Sequence, residues 1–114
     1  MMNMAMFDRI DFESKHNNIT ATKGLFKELQ NYLKRNELLT ITMEECSEVA
    51  VEASKIIRFA AEDTSYQPTL EREIGDLLCM VDLLKEAGML SDDGLENAKQ
   101  AKREKLKKWS NLDV

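Results

Sequence analysis

The stretch TITMEECSEVAVEASKIIR, Thr40 to Arg58, decides the fold. Met43, Cys46, Val49, Ala50, Ala53, Ile56 and Ile57 recur at the three- and four-residue spacing of one helix face, and Ala60 continues it. At about 100° per residue, Glu44, Glu45, Glu48, Glu52 and Lys55 fall within an arc of about 100° that adjoins the apolar one. These acids therefore border a core instead of facing open water.

A second stretch, LEREIGDLLCMVDLL from Leu70 to Leu84, repeats the arrangement. Glu73 and Asp76 lie about 60° apart on a helix, next to an apolar arc of Leu70, Ile74, Leu77, Val81 and Leu84. Packing of the two helices through their apolar arcs brings the two acidic edges together.

Working outward, the rest of the chain also reads as helix. It has 114 residues, 43% hydrophobic and 32% charged, which suits a single domain with its own core. One proline and four glycines leave few breakers, and sparse β-branched residues argue against a sheet. Four helices are predicted: about Thr20 to Asn36, Thr40 to Glu62, Leu70 to Ala87, and one beginning after Ser91 and ending near Trp109. Gly88 suits the end of the third. The Ser91 hydroxyl with Asp92 and Asp93 suits the start of the fourth, because these groups meet unpaired N–H donors. The expected fold class is all-α, a four-helix-bundle-like single domain over residues 20–112. For residues 1–19 an N-terminal arm or short helix carrying Phe7, Ile10 and Phe12 is expected, with a turn at His16-Asn17-Asn18. The third helix is apolar almost all round from Leu77 to Leu84, so a partner subunit is expected to cover part of it.

Charge and composition exclude several classes. A net charge of −5 gives no basic surface for a nucleic-acid polymer. No apolar run approaches the length of a membrane span. The Met-rich start soon meets Asp8, Arg9 and Asp11, unlike a signal peptide. A cytoplasmic protein is expected, with Cys46 and Cys79 as buried, reduced thiols. His16, the lone histidine, has no Glu-x-x-His context, which removes a di-iron bundle.

Converged carboxylates repel one another and lose hydration, so they call for protons or a cation. Oxygen ligands without nearby His or Cys suit Mg²⁺ or Mn²⁺, and Mg²⁺ keeps positions open for water and phosphate oxygens. Plainer readings exist for the parts. An EExxE alone is common on solvated faces, and Thr42 with Glu45 matches a capping box, although Thr40 is as good a cap. Gly75, inside the Glu73-Ile74-Gly75-Asp76 unit, costs about 1 kcal/mol relative to alanine in mid-helix, which close approach of a backbone or ligand would explain.

Glu44-Glu45-Cys46-Ser47-Glu48, then 24 intervening residues, then Glu73-Ile74-Gly75-Asp76, resembles the EExxE…ExxD signature of the all-α nucleoside triphosphate pyrophosphatases. That superfamily includes MazG, dimeric dUTPases, dCTP pyrophosphatases and phosphoribosyl-ATP pyrophosphohydrolase. Lys55-Ile56-Ile57-Arg58-Phe59 and Lys105-Leu106-Lys107-Lys108-Trp109 look like small MazG-like proteins, particularly phage-encoded ones, for which the location would be the host cytoplasm. The resemblance implies metal ligands at Glu45, Glu48, Glu73 and Asp76. It implies catalytic carboxylates at Glu44, Glu45 and Glu48, one of which holds or deprotonates the attacking water. The activity implied is Mg²⁺-dependent hydrolysis of a (d)NTP to (d)NMP and pyrophosphate by a homodimer or homotetramer. The chain lacks the Cys-Pro-Trp-Asp stretch of full-length MazG, so that enzyme's base preference does not carry over.

Lys55, Arg58, Lys102 and Lys105 are the candidate phosphate contacts, the last two on the fourth helix and open to use by a neighbouring subunit. Tyr32, Phe59 and Trp109 suit either base stacking or, more commonly at helical spacing, the core. Two other readings stand beside the first. One is a different specificity in the same superfamily (dUTP, dCTP or phosphoribosyl-ATP). The other is a non-catalytic helical oligomerisation module.

Overall fold

The computed structural model describes residues 19–59 and 67–114. The arm or helix expected at the N-terminus, the turn at His16-Asn17-Asn18 and the connection at 60–66 lie outside them. Among the described residues the chain is all-helical: α1 spans Ile19–Phe59, α2 Gln67–Glu86 and α3 Asp92–Trp109. None of these helices is long and apolar enough to cross a membrane. The chain divides into two compact units, Met1–Leu39 and Thr40–Val114, and the division falls within α1.

One expectation needs correction. The two helices read as Thr20–Asn36 and Thr40–Glu62 are a single helix of 41 residues. The segment Asn36-Glu37-Leu38-Leu39-Thr40 contains neither Gly nor Pro. Leu and Glu are good helix formers, so the backbone ladder continues through it. Thr40 and Thr42 are therefore interior residues, and Glu45 closes no capping box. Three helices, not four, are present among the described residues.

α2 begins three residues earlier than the sequence suggested, at Gln67. Pro68 falls in its first turn, where the missing N–H costs nothing and the fixed φ already suits a helix. Its C-terminus is closed as Gly88 predicts. Gly88 takes a left-handed φ of 75°. Its N–H donates to the Lys85 carbonyl at 2.9 Å, and the Met89 N–H donates to the Leu84 carbonyl at 2.9 Å. This pair of bonds is the Schellman closure.

α3 starts at Asp92, after Ser91, as its sequence predicts. The Ser91 hydroxyl accepts the Gly94 N–H at 3.0 Å, and Asp92 and Asp93 occupy the first turn. Lys85 of α2 donates to the Asp92 carboxylate at 3.0 Å, which ties the two helix ends across the turn. That hydrogen bond, then the charges of Asp92 and Asp82, hold the Lys85 ammonium above the usual lysine range. α3 ends at Trp109, where the Ser110 N–H and hydroxyl both donate to the Leu106 carbonyl, at 2.9 and 2.7 Å.

In the second unit the buried apolar residues among those described are Met80 and Leu84, both on α2. In the first, Leu25 is buried while Phe26 and Leu33 are exposed. Cys46 and Cys79 are free, as expected, but exposed rather than buried. They lie on sides of α1 and α2 that no described residue covers. Trp109, 78% exposed, is not a core residue either; the Lys108 ammonium lies 5.2 Å from the centre of its ring.

The two caps give a direct check of this turn. Ser91→Ala is expected to cost about 1 kcal/mol through the lost acceptor. Gly88→Ala is expected to cost about 1–2 kcal/mol through the left-handed backbone. Urea unfolding followed by circular dichroism measures both, and unchanged midpoints would contradict the cap assignments.

Candidate metal centre

The acidic edge of α1 and that of α2 do meet. One carboxylate oxygen each from Glu45, Glu73 and Asp76 lie within 4.8 Å of one another. Glu45 comes from α1, and Glu73 and Asp76 stand one turn apart on α2. Glu45 and Glu73 are half-buried, while Asp76 is exposed. Their convergence sets these stretches of α1 and α2 side by side in the second unit.

The electrostatics are those of an unneutralised cluster. Partial desolvation, then the charges of Asp76, Glu73, Glu48 and Glu44, push the Glu45 carboxyl above the usual carboxylate range. The nearest described cation is loosely placed: Arg72 Nε stands 3.8 Å from Glu73 Oε1, and its side chain is largely exposed. Three carboxylates facing one long guanidinium contact are a group whose mutual repulsion a cation would relieve.

The donor set fits a hard divalent ion. Two oxygens on one Mg²⁺, at about 2.1 Å each, stand at most about 4.2 Å apart. The observed limit of 4.8 Å is within a small side-chain adjustment of that spacing. No His or Cys joins the group, which disfavours softer metals.

The remaining sequence candidates sit around this trio. Glu48, one turn beyond Glu45, is exposed and is not one of the three, although its charge bears on Glu45. Glu44 is exposed beside Glu45. Arg58 sits about 140° round α1 from Glu45, over the ring of Phe59 at 5.5 Å. Lys55 is engaged elsewhere, donating to Glu52 Oε1 at 2.9 Å. Lys102 lines an open groove of about 650 Å³ along α3 with Leu95, Lys99, Arg103, Leu106 and Val114, and none of the three acids borders it. Lys105 is exposed on the same helix. Among the described residues Gly75 has no neighbouring atom within 4 Å of where a Cβ would stand, so no close approach by them accounts for it.

Sequence reading left Glu52 without a role, and the structure gives it an unusual one. It is 5% exposed, the buried charged residue among those described. Its Oε2 has no hydrogen-bond partner. Helical periodicity placed it on the acidic edge, but an arc cannot say how deep a side chain sits. A buried carboxylate with one satisfied oxygen depends heavily on its cation.

No protein-family model, curated protein or solved structure matches the chain.

Two outcomes are expected. Removing Lys55 (Lys55→Met) leaves Glu52 buried and unpaired, and is expected to cost about 1–3 kcal/mol in urea unfolding. Glu52→Met removes the charge itself and is expected to cost less; the reverse order would contradict this pairing. The second outcome concerns Glu45. Because its folded pKa is raised, the stability its proton contributes is fully present below the ordinary value near 4.5 and is lost as pH rises through the raised value. Without divalent ions, the melting temperature should therefore fall over that window in the wild type and fall less in Glu45→Gln. Parallel pH profiles would contradict the repulsion.

Proposed function

We propose that this protein is a magnesium-dependent nucleoside triphosphate pyrophosphohydrolase of the MazG-like kind. It converts a (d)NTP and water to (d)NMP and pyrophosphate. The observation that carries the reading is the meeting of Glu45, Glu73 and Asp76, drawn from the two motifs of the EExxE…ExxD pattern. Sequence spacing alone does not require carboxylates 28 and 31 positions apart to converge.

Glu45, Glu73 and Asp76 would hold Mg²⁺, with Mn²⁺ able to serve in its place. The bound metal supplies charge neutralisation along the phosphate chain and water of lowered pKa. Glu48 and Glu44, exposed beside Glu45, would orient the attacking water and accept its proton. Glu48, which projects from the next turn of the same helix, would also be within reach of the metal as a further ligand. The phosphoanhydride bond breaks and pyrophosphate leaves. Lys102 and Lys105 are exposed and form no ion pair among the described residues, which leaves them available to the phosphate chain. They act from this chain or from a neighbour in a homodimer or homotetramer. A cytoplasmic location, in a cell or in an infected host, is part of the same reading.

Product analysis over the eight common NTPs and dNTPs with Mg²⁺ tests it. Pyrophosphate and a nucleoside monophosphate should appear, and EDTA should abolish both. Glu45→Gln and Asp76→Asn should lower kcat/KM by on the order of a hundredfold or more, at or beyond the upper end for groups that only support a metal ligand. Release of phosphate instead of pyrophosphate would redirect the assignment to another hydrolase. No turnover of any nucleotide, and no metal-dependent binding, would leave a non-catalytic helical module.

A further inference from the structure

None of the four basic residues read from the sequence as phosphate contacts pairs with the acidic trio among the described residues. Lys55 is tied to Glu52. Arg58 points round α1 to Phe59. Lys102 and Lys105 belong to α3. A residue that the sequence pattern passed over does pair with it. Arg72 Nε stands 3.8 Å from Glu73 Oε1.

Helix geometry gives Arg72 a definite place at the site. With Arg72 as zero, Asp76 lies about 40° round α2 and Glu73 about 100°. Asp76 therefore sits between the other two, and Arg72 and Asp76 are neighbours one turn apart. Exposure changes across this arc. The Glu73 side chain is 14% exposed, whereas Asp76 is exposed and the Arg72 side chain is 69% exposed. The acidic group is covered at Glu73 and open toward Arg72.

The pairing that Arg72 makes here is a poor one. At 3.8 Å it is too long for a hydrogen bond, so the guanidinium donors are not spent on it. It joins adjacent residues, whose side chains do not face each other on a helix. A guanidinium carries five N–H donors in a planar fork that matches a phosphate far better than this contact does.

We infer that Arg72 is a phosphate-contacting residue of this site, its guanidinium gripping the oxygens of a metal-bound phosphate chain that the metal leaves uncovered. The inference rests on the reaction proposed above and adds to it a residue outside the EExxE…ExxD pattern. Charge sets the order of events. Arg72 is repelled by a divalent ion held on Glu45, Glu73 and Asp76, and turns to the open side. Phosphate oxygens entering there receive it. Arg72 therefore opposes a divalent ion bound alone and favours one bound with a phosphate chain. A residue that only steadied α2 would move both affinities in the same direction.

Two titrations read these opposite signs. In Arg72→Gln, Mn²⁺ alone should bind no more weakly than in the wild type, and roughly threefold tighter at low ionic strength, because a like charge is gone. Inorganic pyrophosphate, titrated calorimetrically with Mg²⁺ present, should bind on the order of tenfold more weakly through loss of a charge-assisted pair. Arg72→Lys should recover part of that loss, since it keeps the charge without the fork. Mn²⁺ affinity that falls together with pyrophosphate affinity overturns the assignment, as does a wild type that takes up no pyrophosphate. Turnover of a nucleotide by the wild type, with equal pyrophosphate affinity in Arg72→Gln, sinks this contact and spares the reaction. Pyrophosphate affinity that depends on Arg72, with no nucleotide hydrolysed, does the opposite.

Discussion

Three like charges are held together in the second unit, and what surrounds them takes its meaning from how that repulsion is relieved. Glu45 reaches from α1 to Glu73 and Asp76 of α2, and their nearest oxygens stand within 4.8 Å. Separating the two helices, or replacing the acids, would remove the strain more simply than tolerating it. Its persistence on paired helices is the physical reason for proposing a divalent cation there. Glu52 adds to the same account. It is a fourth carboxylate on this side of α1, buried and half-satisfied, with Lys55 as its counter-charge.

The second feature is how few of the described apolar residues are buried. Leu25, Met80 and Leu84 are the buried hydrophobic residues among those described, and no large side chain is fully buried. A domain of this length ordinarily buries well over half of the surface its unfolded chain exposes. Apolar residues such as Leu78 on α2, and Met43 and Ile57 on α1, remain open. The homo-oligomer proposed above would supply cover for these residues.

Sequence reading succeeded where local chemistry decides and failed where distant cover decides. The Gly88 closure and the Ser91 cap are fixed by a few adjacent atoms, so their positions were legible. The meeting of Glu45 with Glu73 and Asp76 was also legible, because both acidic edges adjoin apolar arcs that must pack. Glu48, expected beside them, stands exposed one turn away. Continuity of α1 through Asn36–Thr40 was misread because threonine caps and helix interiors look alike when no Gly or Pro intervenes. The exposure of Cys46, Cys79 and Trp109 was not legible. Apolarity says that a residue favours cover but not whether its own chain provides it. For the same reason, periodicity put Glu52 on an edge without revealing its depth.

The central claim is that Glu45, Glu73 and Asp76 together bind a divalent ion. Its most direct test is titration of Mn²⁺ into the protein, read by loss of the free-ion paramagnetic resonance signal. The wild type should take up Mn²⁺ saturably, release it to Mg²⁺, and lose affinity by on the order of tenfold or more in Asp76→Asn. Equal, weak, non-saturating uptake by the wild type and by Asp76→Asn would contradict the account.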